Sequence, residues 1–591
     1  MRLSIFFILL TLSTFGQTIP STRIVGWENA GYRGNIDPNS LFVDVTTQGI
    51  IGDSLTNNAP ALNTLIQSAC GFRAILYFPA GTYLFNSTIN LNDSIALRGA
   101  SSDSTHFVFN FNGASGNCIN LSGSGNSSWY SATDGYQKDN SWITVADSGL
   151  LQAGDWAEIR ESNGSWDTQP ISWADYSVGQ LLEITGRSGD TVFLREPIRI
   201  TYDPSLNIQI SRFVPKREVA IECLSYERTD SVSCFCPTIN FYHAVDCVVR
   251  GVEGKKSISA HVLLDDCSNI SINGCRFHDA FEYNGSSMHG YGIALYYHTG
   301  QCLIENNILH HLRHSISFQC GANGNVVGYN YSFDPNRSEF PANYGADISM
   351  HGHYPYANLF EGNIVQNIQL DQTWGPSGPN NTFFRNRAEL YGIFMTSGTA
   401  NSDNENFVGN EVTSTAFLQG NYTLAGSGHF EYGNNVRGTI TPSGTANLPD
   451  ISYYLNGTPA FWNIAANWPS IGPANSIGSG TIPAKDRFLN SPSKTICNDE
   501  TDTQTGNNAY LKDRFLIYPN PATTSVHIEL PASMDLPVDV RVTDVTGQVI
   551  IQALHGNGQK FDLSTNSLPH GIYLISIVHP KGSASQKLLI E

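Results

Sequence analysis

Four stretches in the middle of the chain concentrate acid, base and cationic side chains: His310-His311-Leu312-Arg313-His314, Asp347-Ile348-Ser349-Met350-His351-Gly352-His353-Tyr354, Asp371-Gln372-Thr373-Trp374 and Arg385-Asn386-Arg387. Such a set suits two reactions on sugar polymers. β-Elimination on a uronic acid needs a cation to neutralise the carboxylate, a base at C5 and an acid for the leaving oxygen, roles open to Arg, His and Tyr. Inverting hydrolysis needs two carboxylates about 6.5 to 9.5 Å apart, and Asp347 with Asp371 would serve. The candidate catalytic residues are therefore His311, Arg313, His314, Asp347, His351, His353 and Asp371. Tyr291, Arg337, Tyr354, Trp374, Arg385 and Arg387 are candidates for holding substrate. Any one of them alone reads more simply as a solvated or ladder-bonded turn residue; the cluster is what points to a site.

Residues so far apart along the chain meet only if the backbone returns to the same place at short intervals. It does. From Val249 to Asn410 a pattern of one apolar residue, two small or polar residues and a column position, usually Asn, recurs with columns at 252, 275, 307, 330, 363, 386 and 410. The intervals are 23, 32, 23, 33, 23 and 24 residues. A repeat this short, rich in β-branched and aromatic residues and punctuated by Gly and Asn, predicts one coil of a parallel β-helix. Coils stack about 4.8 Å apart, so equivalent side chains converge. Asn at a turn tolerates left-handed backbone and can bond to its copies up a ladder. The two long intervals place extra loops at about 281–291 and 337–346, on one side of coils two apart, where a binding groove is expected.

The first residues, Met1-Arg2-Leu3, an apolar run and small residues to Gly16, predict a signal peptide spanning 1–18. No run is long enough for a membrane span in the mature chain. With 591 residues, one compact core is exceeded and appended modules are expected. A formal charge of −19 argues against nucleic acid or an anionic membrane as main partner. The 11 cysteines are odd in number; most suit buried apolar positions, and Cys223, Cys234, Cys236 and Cys247 are near enough for disulfides of unspecified pairing. Alternating strands between 127 and 215 predict a small β insertion, residues after Asn410 less regular coils, Tyr453 to Ala484 an extended tail packed back on the solenoid, and 499–512 a linker.

Further motifs carry two family resemblances. Gly52-Asp53-Ser54-Leu55-Thr56-Asn57-Asn58, the helix-spaced Leu62, Leu65 and Ile66, and Tyr77-Phe78-Pro79-Ala80-Gly81-Thr82-Tyr83 resemble the N-terminal signature of the pectate-lyase-like superfamily. Ser54 and Asn57-Asn58 replace its commoner Gly and Asp-Asp. The resemblance implies a right-handed parallel β-helix, with residues 19–498 as that domain, and an extracellular protein acting on polysaccharide. Phe333-Asp334-Pro335-Asn336 is similar to the Asp-Pro-His motif of alginate epimerases, with Asn336 in place of its His. From residue 513 to 591, Tyr518-Pro519-Asn520-Pro521, Gly571-Ile572-Tyr573-Leu574 and the closing Lys587-Leu588-Leu589-Ile590 resemble the C-terminal sorting domain of the Bacteroidetes type IX secretion system. That resemblance implies a β-sandwich, engagement of the secretion machinery and export across the outer membrane.

The expectation is an all-β, monomeric, secreted polysaccharide lyase of acidic glycans, with a glycoside hydrolase and a non-catalytic glycan-binding or adhesin solenoid as alternatives. The cofactor is unassigned; Ca²⁺ is the candidate ion, with Asp279 and Asp334 as turn carboxylates that could hold it.

Overall fold

The computed structural model describes residues 18–34, 40–125, 128–146, 151–286, 288–497, 515–530, 538–544, 549–555, 558–579 and 582–590. The signal peptide and linker expected from sequence lie almost wholly outside these residues.

The chain forms a right-handed parallel β-helix with three faces. One face is a thirteen-stranded sheet that includes Ser268–Asn273, Leu303–Glu305, Val326–Gly328, Leu359–Glu361 and Thr382–Phe384. The other two share a 21-stranded sheet. The second face carries Arg276–Ala280, Ile308–His310 and Tyr331–Phe333; the third carries Tyr291–Tyr296, His314–Phe318 and Ala346–Met350. Long strands such as Ile364–Leu370 bend through both. Because coils repeat in register, like sits on like. Ile293, Ile316, Ile348, Ile368 and Ile393 form one inward column, and Phe360, Phe383 and Phe407 stack with ring centroids 4.8 and 5.1 Å apart.

The Asn column stands at the corner between the first and second faces. From Asn330 onward each amide oxygen there accepts two bonds. Asn330 Nδ2 donates to Ile304 O (2.8 Å) and Asn363 Oδ1 (3.0 Å), while its own Oδ1 accepts from the backbone N and the Nδ2 of Asn307. The ladder runs from Asn307 to Asn434, and Cys275, at its start, offers its backbone N–H to Asn307 Oδ1. A second ladder, Asn325, Asn358 and Asn381, follows the same scheme at the corner before the first face.

The residue preceding each column position has positive φ. Gly251, Gly274, Gly362 and Gly409 accept this at no steric cost, but Asn306, Tyr329 and Arg385 hold it as non-glycine residues. The tail docks on these three and also on glycines of the same column, as where Ile496 N donates to Gly274 O. Tyr329 packs edge-on to Phe461 and Trp462, Asn306 takes two bonds from Arg487, and Arg385 donates to the carbonyls of Leu448, Asp450, Ile471 and Pro473.

The helix Ala59–Ser68 buries Ala59, Leu62 and Ile66 against the solenoid core, with Leu65 half-buried beside them. Six antiparallel strands between Trp129–Asp134 and Gln209–Phe213 close into a small barrel around Ile143, Ile159, Leu182 and Val192. It is pinned to the solenoid by Arg199 Nη1 to Asn323 Oδ1 (2.7 Å) and Tyr356 OH to Gly179 O (2.8 Å). The C-terminal module has sheets of three and four strands enclosing Val526, Ile528, Val540, Ile575 and Leu588. Cys234 and Cys236 form a disulfide, while Cys223 and Cys247 keep free thiols.

Candidate functional site

Both extra loops leave the corner between the second and third faces, between Arg276–Ala280 and Tyr291–Tyr296 and between Tyr331–Phe333 and Ala346–Met350. They flank the outer surface of the third face. Register decides what that surface shows. Tyr291, His314 and Ala346 align on successive coils. At the far ends of these strands, Gln319, His351 and Asp371 each follow a strand whose last residue packs inward.

The result is a continuous polar chain. His289 stacks on Tyr291 (centroids 5.0 Å), Tyr291 meets His314 (4.9 Å), and His314 meets His351 (5.3 Å). Nδ1 of His351 lies 3.0 Å from Asp371 Oδ2. Arg313 Nη1 donates to Tyr291 OH (3.2 Å) and faces His314 Nε2 at 3.4 Å, and Glu339 stands 3.9 Å from its Nη2. A guanidinium only donates, so His314 Nε2 is an acceptor and its Nδ1–H points to Ala346 O (3.3 Å). His314 is thus neutral and committed to holding Arg313. His351 differs, because its Nδ1–H is aimed at Asp371 and its Nε2 is left for chemistry.

Electrostatics agree with this division. Burial, then the Arg313 charge, drives His314 well below the usual imidazole range, and burial with Arg313 takes His289 down to about 4. Burial pushes Tyr291 up to about 12 against the pull of Arg313, so it is a phenol at neutral pH. Burial would raise Asp371, but its bonds to His351 and Thr373 outweigh that and hold it below the usual carboxylate range, ionised. Aromatic rings border the groove. Trp173 from the barrel (39% exposed) lies 6.3 Å from Trp374 (40% exposed), and Tyr297 OH donates to Trp173 O.

Of the residues singled out from sequence, Tyr291, Arg313, His314, His351 and Asp371 come together, with Trp374 at the rim. The others are corrected. Asp347 is fully buried and accepts from Ser332 Oγ and the backbone N–H groups of Gln366 and Asn367; burial, opposed by these bonds, leaves it raised to about 6. It braces a corner and cannot meet a polymer. His353 is wholly buried beneath the barrel, 3.3 Å from Gln169 O, and Tyr354 stacks on Trp166 at 4.5 Å. Arg385 is spent on tail carbonyls, and Arg387 is buried against Glu411 and Gly480 O. Arg337 shapes its own loop through Pro341 O and Phe340 O and covers the Tyr344 ring. His311 bonds Asp334 and Asn336 and meets the edge of Tyr283. Asp279 and Asp334, the Ca²⁺ candidates, are each engaged by an imidazole, His278 and His311 respectively.

His289 and Glu339 were missed, whereas Trp173 was read from sequence only as one of five tryptophans of the β insertion, with Trp129, Trp142, Trp156 and Trp166, that could stack on sugar rings. His289 lies inside the first extra loop, two residues before the position aligned with His314, which is a readable signal; Trp173 enters from the barrel, and no coil spacing announces it.

Comparison with known proteins finds matches at both ends of the chain. Residues 42–157, the first coils of the solenoid and the start of the barrel, match the family described as rhamnogalacturonase A/epimerase, pectate lyase-like. Residues 516–591 match the secretion system C-terminal sorting domain, which assigns the chain to type IX secretion, with delivery to the cell surface or the extracellular space. Among curated proteins, the non-secreted LysM effector LysM15 of Penicillium expansum is 30% identical over 95 residues, 14% of this chain; the match spans 7% of that relative's length. Similar solved structures include the tailspike gp61 of Pseudomonas phage phi297 (13% identity, 92% of this chain and 97% of that one, TM-score 0.43). The A-module of the mannuronan C-5 epimerase AlgE4 of Azotobacter vinelandii (12%, 67% and 89%, TM-score 0.34) is another. A third is the catalytic unit of a GH87 α-1,3-glucanase from Streptomyces thermodiastaticus (12%, 70% and 68%, TM-score 0.35). Among the described residues no helix is long and apolar enough to cross a membrane.

Proposed function

We propose that the chain is a secreted carbohydrate-active enzyme, a polysaccharide lyase that cleaves an acidic glycan in the groove over the third face. The observation that carries this reading is the side-by-side placement of Arg313, Tyr291 and the His351–Asp371 pair on adjacent coils. Arg313, held by His314, neutralises the uronate carboxylate and so favours charge developing at C5. Nε2 of His351 takes the C5 proton, with Asp371 fixing the ring and stabilising the imidazolium. The electron pair left at C5 forms the C4–C5 double bond as the C4–oxygen bond breaks. Tyr291, a phenol at neutral pH, gives its proton to the departing oxygen. Trp173 and Trp374 supply faces on which sugar rings can stack.

Burial of Asp347 removes one member of the carboxylate pair that a hydrolase reading used, which favours elimination over hydrolysis. The test is incubation of the purified mature protein with alginate, pectin, ulvan, carrageenan and neutral glycans. Ultraviolet-absorbing unsaturated products, lost in His351→Ala, are expected. New reducing ends without that absorbance would replace the lyase by a hydrolase, and retention on a glycan gel without turnover would replace it by a binder.

A further inference from the structure

Where the barrel meets the solenoid, away from the groove chain, three ligand-type side chains converge. Glu158 comes from the barrel strand Trp156–Glu161, and Asp266 and His298 come from equivalent turns of successive coils. Oxygen and nitrogen atoms of the three lie within 4.8 Å of one another. His298 Nδ1 is 2.8 Å from Glu158 Oε1 and 3.9 Å from Asp266 Oδ1. Glu158 is 5% and His298 2% exposed.

Two features separate this cluster from an ordinary ion pair. The 2.8 Å approach of His298 to Glu158 lacks hydrogen-bond geometry, so Nδ1 of His298 and Oδ1 of Asp266 are buried without a hydrogen-bond partner. Meanwhile His298 Nε2 is 2.8 Å from Tyr176 O. Donation of Nε2–H to that carbonyl turns a lone pair on Nδ1 toward the carboxylates, which is how a metal-binding imidazole is usually oriented. Close by, His243 is 2% exposed, has neither ring nitrogen bonded, and holds Nε2 3.9 Å from Asp266 Oδ2. Arg160, from the same barrel strand, is stacked on Trp129 and Tyr176, with its guanidinium carbon 3.4 and 4.0 Å from the ring centroids.

We infer that Glu158, Asp266 and His298 bind a divalent cation of the zinc class, beside the buried ring of His243. Metal–ligand bonds of about 2.0–2.2 Å set neighbouring ligand atoms about 3 to 3.5 Å apart, and the approaches of His298 to Glu158 and Asp266, 2.8 and 3.9 Å, lie on either side of that spacing. The imidazole favours a borderline transition cation over Ca²⁺, which prefers oxygen ligands. Such an ion ties the barrel to two coils. Tyr176, whose carbonyl meets His298 Nε2, lies three residues after Trp173, and His298 follows Tyr297, which holds Trp173 O; an ion that fixes His298 therefore also steadies the Trp173 side of the groove. This inference stands apart from the proposed activity.

The test uses the full mature chain, stripped with a chelator and dialysed, then titrated with Zn²⁺, and with Co²⁺ and Mn²⁺ in parallel. A single equivalent of Zn²⁺ bound, a melting temperature raised by several degrees, and loss of both in His298→Gln and Asp266→Asn are expected. Should those variants not fold, Co²⁺ bound to the wild-type chain is to give visible absorption bands of a site with nitrogen and oxygen ligands. Failure of the wild type to retain any of the three ions, melting unaltered by chelator, or unchanged Zn²⁺ binding in a folded His298→Gln variant would overturn the site.

Discussion

At the scale of single residues, side chains that read alike in sequence stand in different surroundings. His351 has one ring nitrogen aimed at Asp371 and the other free, whereas His314 is used up on Arg313. His351→Ala is expected to lower kcat by about 10²–10⁴-fold, the usual contribution of a positioned base, in protein that still folds. Asp347 should behave in the opposite way. Asp347→Ala removes the acceptor of two backbone N–H groups, at about 1–3 kcal/mol for each unsatisfied group, so calorimetry should show a marked loss of stability even where residual folded protein keeps its turnover. Sequence could not tell the two aspartates apart. Both sit near the start of a strand or corner, and one residue of displacement turns a side chain from the interior to the groove.

At the scale of elements, the Asn ladder is the repeat made physical. Asn363 donates to Val327 O and Asn386 Oδ1 and accepts twice from Asn330. Asn363→Asp would bring a buried carboxylate against two acceptor oxygens, so it should destabilise more than Asn363→Ala, which loses bonds worth about 1 kcal/mol each; denaturant midpoints of the two variants decide this. The column was legible because its chemistry admits few substitutes. The second ladder, at Asn325, Asn358 and Asn381, repeats with the same 33- and 23-residue steps and was equally available. The docking of the tail was legible only as an apolar stretch, because Arg385 in a sequence resembles any other cation. Arg385→Ala should free the segment 448–473, seen as faster proteolysis there while the coils persist.

At the scale of the whole molecule, several imidazoles are buried as neutral rings. Burial, with His278 nearby, takes His261 down to about 3, although the carbonyls of His278 and Asp279 and the Asp279 charge oppose this; burial also brings His310 to about 3. These groups bind protons more readily unfolded than folded. Stability is therefore complete above the unfolded imidazole range near pH 6.5, falls as pH drops below it, and reaches its floor once pH passes the folded values. Each unit of depression corresponds to about 1.4 kcal/mol, most fully at the wholly buried His261. Melting temperature should decline from pH 7 to pH 4, with a shallower decline in His261→Gln. A flat profile would contradict the neutral burial of these rings.

By itself the sequence determined the coil, its period, the side on which loops are long, the capping helix and the sorting module, because each rests on local pattern repeated in register or on a motif with few alternatives. Only the tertiary structure decided which polar residues face the groove, which clamp the tail and which brace the interior. A carboxylate or guanidinium has the same letter in all three places, and its environment is set by neighbours on other coils and on the barrel, as when Trp173 meets Trp374 and Glu158 meets His298 across more than a hundred residues of chain.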